Sequence, residues 1–201
     1  MAAPKQFCEQ CGSPLRAGSR FCEMCGTPVE PVPAEAAETV VGHLPAERLE
    51  EGMGLLGRVK TTRLNLVITS SRILCLRETM DTNDTWVAET ERLDDEEKRS
   101  GVPWRTLIDR YDWRSAMWAA FYDTPPGELL SADRGNGAIL LSEVAAATVT
   151  LDDELDKLDI ELAGGQVFHF QLYNLVGRAA ARFLAQALGS ERVRLIVPAT
   201  V

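Results

Sequence analysis

The chain carries FCEQCGSPL at residues 7–15 and, fourteen residues later, FCEMCGTPV at residues 21–29. Each copy reads Phe-Cys-Glu-x-Cys-Gly, followed by Ser or Thr, then Pro, then an aliphatic residue. A segment of about 29 residues buries too little apolar surface to fold on its own. The spacing of the cysteines therefore decides how this part of the chain can fold.

Four of the five cysteines lie in this repeat and form two Cys-x-x-Cys pairs: Cys8, Cys11, Cys22 and Cys25. In a reducing compartment such pairs hold a metal far more often than they form disulfides. Two cysteines three positions apart can reach one ion when the backbone turns sharply, and Gly12 and Gly26 allow the positive φ that this turn needs. Amides in the turn can then donate to the thiolates. Two such turns complete a tetrahedral set of four thiolates, for which zinc is the default ion.

A site filled by four cysteines predicts a structural role for the metal, because no coordination position is left for a catalytic water. Zinc binding is worth about 10–16 kcal/mol in finger peptides at neutral pH, enough to stabilise so small a unit. The alternative is a disulfide or a redox-active Cys-x-x-Cys. A second copy of the motif has no redox rationale, and no strand-helix-strand pattern surrounds it.

The Phe-Cys-x-x-Cys-Gly-x-Pro pattern over residues 4–29 resembles the short zinc-ribbon modules at the N-termini of many bacterial and archaeal proteins. The resemblance implies one structural zinc and contact with a macromolecular partner, which is protein in some relatives and nucleic acid in others. Residues 1–30 carry three basic and three acidic side chains, so their net charge is zero. A neutral surface is a poor match for a phosphate backbone.

The composition is that of an ordinary globular protein, with 45% hydrophobic and 25% charged residues among 201. A formal net charge of −9 argues against sequence-independent coating of nucleic acid by the whole molecule, although it leaves room for a local basic patch. No stretch approaches the ~20 apolar residues that span a bilayer. Residues 1–5 lead into the cysteine repeat without an apolar run, so we expect a cytoplasmic protein.

Three parts are predicted: a zinc ribbon at residues 1–29, a linker at 30–42 and a β domain at 43–201. The linker begins with a Pro/Ala/Glu run that has no apolar period and is typical of a solvated tether. The β domain contains seven short runs with strand character: Met53–Lys60, Leu64–Thr69, Ile73–Arg77, Ala138–Ser142, Ala146–Leu151, Leu158–Leu162 and Gln166–Leu172. A helix is predicted at about 174–189, with Asn174 as its N-cap and Gly189 at its end.

This order of seven strands and one helix resembles the pleckstrin-homology-like domains, in particular their bacterial and GRAM-like branches. LVITSSRIL at residues 66–74 is similar to a recurrent hairpin of that family, and residues 143–151 are similar to a later strand. The resemblance implies a mainly β (α+β) barrel capped by the C-terminal helix. The chain departs from the family at about 79–126, where an acidic segment and an aromatic helix predict a helical insertion.

The aromatic part of the insertion is predicted to be one helix from Pro103 to Phe121. It contains three of the four tryptophans: Trp104, Trp113 and Trp118. These side chains could form a docking surface, since Trp dominates interface hot spots. The alternative is that the helix packs on its own domain, because an inserted apolar stripe must be buried against something.

A second candidate surface follows from residues 52–77, which contain five basic side chains and no acidic one. Four of them are candidate contacts for a partner or for a lipid phosphate headgroup: Arg58, Lys60, Arg63 and Arg72. They lack the density of a typical anionic-lipid site, so a solvated sheet face is the alternative.

No catalytic constellation can be assigned. Gly52–Gly57 fits Gly-x-Gly-x-x-Gly, but it follows Ala46–Glu51, which has helical character, and leads into a strand, the reverse of a phosphate-binding loop. His43 and His169 have no partner recognisable by spacing, and Cys75 is predicted to be a buried thiol.

We therefore expect a non-enzymatic, zinc-binding adaptor or scaffold that contacts a protein partner through its ribbon and β domain. One alternative is a nucleic-acid-associated regulatory protein, in which the ribbon contacts RNA or DNA. Another is a peripheral membrane sensor that binds anionic lipid through the basic residues.

Overall fold

The computed structural model describes residues 10, 11, 13, 21, 22, 24–28, 38–53 and 59–198, with backbone only at 50–53, 59 and 60. The chain forms two compact units, Met1–Glu38 and Thr39–Val201, which we call the ribbon unit and the body.

The body is built on one sheet of eight strands in the order β4-β3-β2-β1-β7-β6-β5-β8. Their bounds are β1 Val40–Met53, β2 Val59–Thr69, β3 Arg72–Arg77, β4 Gly137–Leu140, β5 Val144–Thr150, β6 Asp156–Leu162, β7 Val167–Leu172 and β8 Val193–Ile196. Seven strands pair antiparallel, whereas β8 pairs parallel with β5. Because β4 and β8 are the two ends of this order, the sheet is open over the described residues, and the predicted closed barrel is not confirmed.

The first strand differs most from the sequence-based prediction. Ala46–Glu51 lies within β1, so its helical assignment is wrong. Ala46 is paired on both sides, with Leu64 of β2 and Leu172 of β7, and these ladders outweigh the local helix propensity of Ala and Glu. Most of the predicted strand Met53–Lys60 lies outside the described residues, since β1 includes Met53, β2 begins at Val59 and residues 54–58 are not described.

Both faces of the central strands are buried. Leu44 and Leu66 lie opposite each other on one face, which we call the inner face. His43 and Val67 are the neighbouring pair and point to the opposite, outer face, because side chains alternate along a strand. All four have 0% exposure. Each face must therefore be covered by other elements.

The C-terminal helix covers the inner face. Helix α5, Gly177–Leu188, buries Phe183 and Leu184, and the ring of Phe183 packs where any side chain at Gly42 would collide with it. The predicted cap is wrong, because Asn174 has φ of +59° in a 3₁₀ turn and α5 begins at Gly177. The carboxylate of Asp156 accepts from the Gly177 N–H at 2.7 Å and so performs the capping role from β6.

A helical insertion between β3 and β4 packs on the outer face. It comprises α1 Met80–Ser100, α2 Trp104–Asp109, a 3₁₀ turn Ala116–Trp118, α3 Ala119–Asp123 and α4 Pro126–Ser131. The acidic segment thus forms the longest helix, which starts with a capping box between Thr79 and Thr82. The predicted single helix from Pro103 to Phe121 is wrong. It is interrupted where the Asp112 carboxylate accepts from the Arg114 N–H at 3.0 Å, a local bond that competes with helix.

Polar contacts fix the insertion to the sheet. Asn65 on β2 accepts from Trp86 Nε1 at 3.4 Å and donates to Thr82 Oγ1 at 3.3 Å, so one amide holds two points of α1. Asp156 is fully buried and pairs with Arg105 of α2 at 3.2 Å. That carboxylate therefore joins the insertion, β6 and the start of α5.

Asp156→Ala should lower the free energy of unfolding by about 3 kcal/mol, because it leaves Arg105 without its buried counter-charge and the Gly177 N–H without its acceptor. Asp153→Ala, at an exposed position in the same turn, is the matched control and should change it by less than about 0.5 kcal/mol. Urea unfolding followed by tryptophan fluorescence measures both. Equal effects of the two substitutions would contradict this role of Asp156.

Candidate metal centre

The second cysteine repeat forms a tight knuckle. Its ends are joined by a β-bridge between Phe21 and Pro28, and the Cys22 N–H donates to the Thr27 carbonyl at 2.9 Å. The Gly26 N–H donates back to the Cys22 carbonyl at 2.8 Å, and Gly26 has φ of +71°. The predicted positive φ at Gly26 is confirmed, whereas Gly12 lies outside the described residues.

Three of the four predicted ligands converge. The sulfur atoms of Cys11, Cys22 and Cys25 all lie within 4.8 Å of one another, and the Cys11 and Cys22 sulfurs are 3.6 Å apart. A tetrahedron with zinc–sulfur bonds of about 2.3 Å has edges of about 3.8 Å, so this spacing matches zinc. It exceeds the ~2.05 Å of a disulfide, and none of the three is disulfide-bonded. Cys8, the fourth predicted ligand, lies outside the described residues.

Hydrogen bonds within the knuckles stabilise two of the thiolates. The side chain and backbone N–H of Ser13 lower the pKa of Cys11 to about 6. The side chain and backbone of Thr27 likewise lower the pKa of Cys25, whose sulfur is 3.1 Å from Thr27 Oγ1. The expectation that turn amides donate to the thiolates thus agrees with the structure.

The third thiol, that of Cys22, is the hardest of the three to ionise. Backbone amides of Cys25 and Met24 favour the Cys22 thiolate, but desolvation and the neighbouring sulfurs of Cys11 and Cys25 raise its pKa to about 11. Like charges at one site cannot all ionise at neutral pH without a cation. A divalent ion among the sulfurs removes this penalty, so the donor set fits zinc. Cys11, Cys22 and Cys25 would hold it, and with Cys8 would leave no position for substrate.

Two large apolar side chains stand on the surface of the same knuckle. Phe21 is 59% exposed and Met24 is 77% exposed. Sequence reasoning did not single them out, although a signal was present. Met24 lies between two cysteines that turn towards one metal, so its side chain has no core to enter.

The structure buries two of the three candidate tryptophans, Trp113 and Trp118. Trp113 and Trp118 are 4% and 2% exposed, and Trp118 Nε1 donates to Tyr111 Oη at 2.7 Å. Trp104 is half-buried, and its Nε1 donates to the Asn174 carbonyl at 3.1 Å. These contacts agree with the alternative that the aromatic segment packs on its own domain. In this structure Trp113 and Trp118 are buried and do not form a docking surface.

The basic candidates do not form one described cluster. Arg58 lies outside the described residues, as does the side chain of Lys60. Arg63 places its guanidinium 3.8 Å from the Glu78 carboxylate and 5.8 Å from the centre of the Tyr173 ring. Arg72 is half-buried, and its N–H donates to Thr69 Oγ1 at 3.0 Å.

The single histidines and the fifth cysteine have distinct surroundings. Cys75 is buried as predicted, and desolvation raises its pKa to about 11, which makes it a poor nucleophile. His169 contacts Asp159 on β6, with 2.7 Å between Nδ1 and Oδ1, a pairing across the ladder that spacing in sequence did not reveal. His43 is fully buried under the insertion.

None of the helices in the described part of the chain is both long enough and apolar enough to cross a membrane.

Cys22→Ser should abolish stoichiometric zinc binding, because it removes the buried member of the three described ligands. Cys75→Ser, on the sheet of the body, is the matched control and should retain about one zinc per chain. Elemental analysis of purified protein after dialysis against a weak chelator measures the ratio. Undiminished zinc in the Cys22→Ser protein would exclude this centre.

Comparison with known proteins agrees with this geometry. Residues 7–29 match the zinc-ribbon domain family, and no curated protein sequence matches the chain. The matched segment spans both cysteine repeats and ends one residue after the Phe21–Pro28 bridge. The chain therefore carries a zinc-ribbon domain at residues 7–29, in which the Cys11, Cys22 and Cys25 group could bind a zinc ion.

Proposed function

We propose that the chain is a non-enzymatic, zinc-binding adaptor whose ribbon contacts a protein partner. The observation that carries this proposal is the pair of exposed apolar side chains, Phe21 and Met24, on the knuckle that the thiolates organise. Small units use buried metal for stability and leave their surface for recognition. Aromatic residues and Met are enriched at protein interfaces.

The ligand set supports a structural role for zinc. Four cysteines saturate a tetrahedral ion, and a catalytic zinc needs an open position for water or substrate. Thiolate ligation also requires reduced cysteines, which supports a cytoplasmic site of action.

Charge favours a protein over a nucleic acid. Residues 1–30 carry no net charge, and the whole chain carries −9. Binding to a phosphate backbone depends on several Lys and Arg contacts that release counterions, and the ribbon offers three basic residues balanced by three acids. An exposed Phe can stack on a base, so nucleic acid is the alternative outcome of the experiment below.

The body supplies the second recognition surface in this proposal. Its seven antiparallel strands followed by α5 support the resemblance to pleckstrin-homology-like domains, to which β8 and the insertion are additions. Arg63 is engaged by Glu78 and Tyr173, which weakens the case for a lipid headgroup at that position. Two surfaces joined by a Pro/Ala/Glu linker gain avidity when both engage one assembly.

Met24→Ala in the full chain should weaken capture of the protein partner about tenfold, as expected when an exposed anchor side chain is truncated. Met80→Ala is the matched control, because Met80 is also a highly exposed methionine, at 80%, but lies on the body. Binding is measured by capture from native lysate at graded bait concentrations, with zinc content verified for each bait.

Three comparisons decide between the candidates. Proteins lost with Met24→Ala and Cys22→Ser, retained with Met80→Ala and insensitive to nuclease support the protein adaptor. Loss of all binding after nuclease treatment would favour the nucleic-acid alternative. Salt-sensitive binding to anionic vesicles, abolished by Arg63→Glu, would favour the membrane alternative.

A further inference from the structure

One histidine lies at the centre of the contact between the sheet and the helical insertion. His43 projects from the outer face of β1 and is fully buried. Five aromatic rings surround it, all from the insertion, at centroid distances between 4.6 and 6.2 Å: Trp86, Trp113, Trp118, Phe121 and Tyr122. The aromatic cluster of the insertion therefore packs around the His43 imidazole, which projects from the sheet.

The hydrogen bonding of this imidazole is half complete. His43 Nδ1 lies 3.1 Å from Tyr122 Oη, whereas Nε2 is buried and has no partner among the described residues. Trp113 Nε1 is likewise buried without a partner in that part of the chain. A buried polar atom without a partner costs free energy, and a charged one costs far more. The cluster thus accommodates a neutral His43 and has no acceptor for a second N–H.

Among the described residues, no acid is positioned to compensate a proton on His43. Within α1, Glu89 follows Trp86 by one turn, and its carboxylate is taken by Arg92 at 3.1 Å. The segment between α2 and α3 contributes Asp112, which is exposed, and Arg114, whose guanidinium lies 5.0 Å above the Tyr122 ring.

The remaining neighbours are neutral or cationic. Burial raises the pKa of Tyr122 to about 12, so that its hydroxyl is uncharged over the whole range considered. Val67 of β2 is apolar, and on α5 Arg182 lies over Phe183, which in turn contacts Trp113. Within the part of the chain that the structure describes, an imidazolium at this position would face at least one cation and no unpaired carboxylate.

We propose that the contact between the insertion and the sheet is an acid-sensitive latch, in which His43 can take up a proton only when the insertion lifts away from β1. Release would expose Trp86, Trp113 and Trp118, which form an apolar surface on the insertion. The latch is closed at neutral pH and opens as the pH falls.

The direction follows from proton linkage. Burial lowers the pKa of His43 from an ordinary 6.5 to about 3 in the closed state. The open state binds the proton that the closed state excludes, so the closed state is fully favoured above pH 6.5 and loses that advantage as the pH falls towards 3. Relative to pH 7.5, one such proton raises the opening equilibrium constant about fourfold at pH 6 and about 90-fold at pH 4.5.

Tryptophan emission of the full, zinc-loaded chain tests the latch, because all four tryptophans lie between residues 86 and 118. Urea titrations at pH 7.5, 6.0 and 4.5 give the opening constant from emission and the unfolding of the sheet from far-ultraviolet circular dichroism. At pH 4.5, the tryptophan emission of the wild type should change at a lower urea concentration than the circular dichroism signal of the sheet. Coincidence of the two probes at every pH would overturn separate release of the insertion.

His43→Phe removes the titrating group and keeps a ring in the cluster. Its opening constant should lose the 90-fold rise between pH 7.5 and 4.5, whereas His169→Phe, which removes the only other histidine, should keep it. Cys22→Ser should also keep it, which separates the latch from loss of zinc in acid. A full rise in the His43→Phe protein would overturn the proposal.

The His43→Phe protein is compared with the wild type only when it shows the native tryptophan emission at pH 7.5. If it does not, the protonation of His43 in the wild type is measured directly. Imidazole resonances of the chain, assigned with His169→Gln, follow protonation of His43 directly by NMR. Protonation should occur only together with the emission change. Titration of His43 near pH 6.5 with unchanged emission would show that the closed cluster accepts the proton, and would overturn the latch.

Discussion

The body depends on burial of the central strands on both faces. β1 and β2 contribute Leu44 and Leu66 to the inner face and His43 and Val67 to the outer face, and none of these side chains reaches solvent. An antiparallel sheet normally leaves one face to water and then shows clean alternation of apolar and polar residues. Here each face needs a cover, which α5 provides on the inner side and the helical insertion on the outer side. The sheet and both covers therefore depend on one another.

Asp156 connects these two layers through a single buried carboxylate. It binds Arg105 of the insertion and the first N–H of α5. A buried carboxylate is costly unless its hydrogen-bonding capacity is used, and these partners use it. His43 shows the contrasting arrangement, since its Nε2 is buried without a described partner and the contact there depends on the imidazole staying neutral.

The ribbon unit follows different physics. Its cysteines bring sulfurs together where desolvation and hydrogen bonds with the neighbouring sulfurs oppose ionisation at Cys22, and a divalent cation among them favours the thiolates. Because metal coordination replaces a hydrophobic core, side chains such as Phe21 and Met24 are available at the surface. In the body, by contrast, most of the large aromatic residues are buried where they cover the sheet. We therefore propose that the ribbon is the first site of recognition.

The sequence by itself determined the metal site, because ligand type, spacing and turn glycines are local properties: Cys11, Cys22 and Cys25 converge as the repeat requires. It also predicted most of the strands and the C-terminal helix, whose apolar periods are local as well. Tertiary structure decided what depends on distant partners. Ala46–Glu51 became strand because β2 and β7 pair with it, and Asp156 rather than Asn174 meets the start of α5. Trp113 and Trp118 entered the core because the outer face of β1 needed a cover, and no local pattern shows which face of a strand a distant segment will bury.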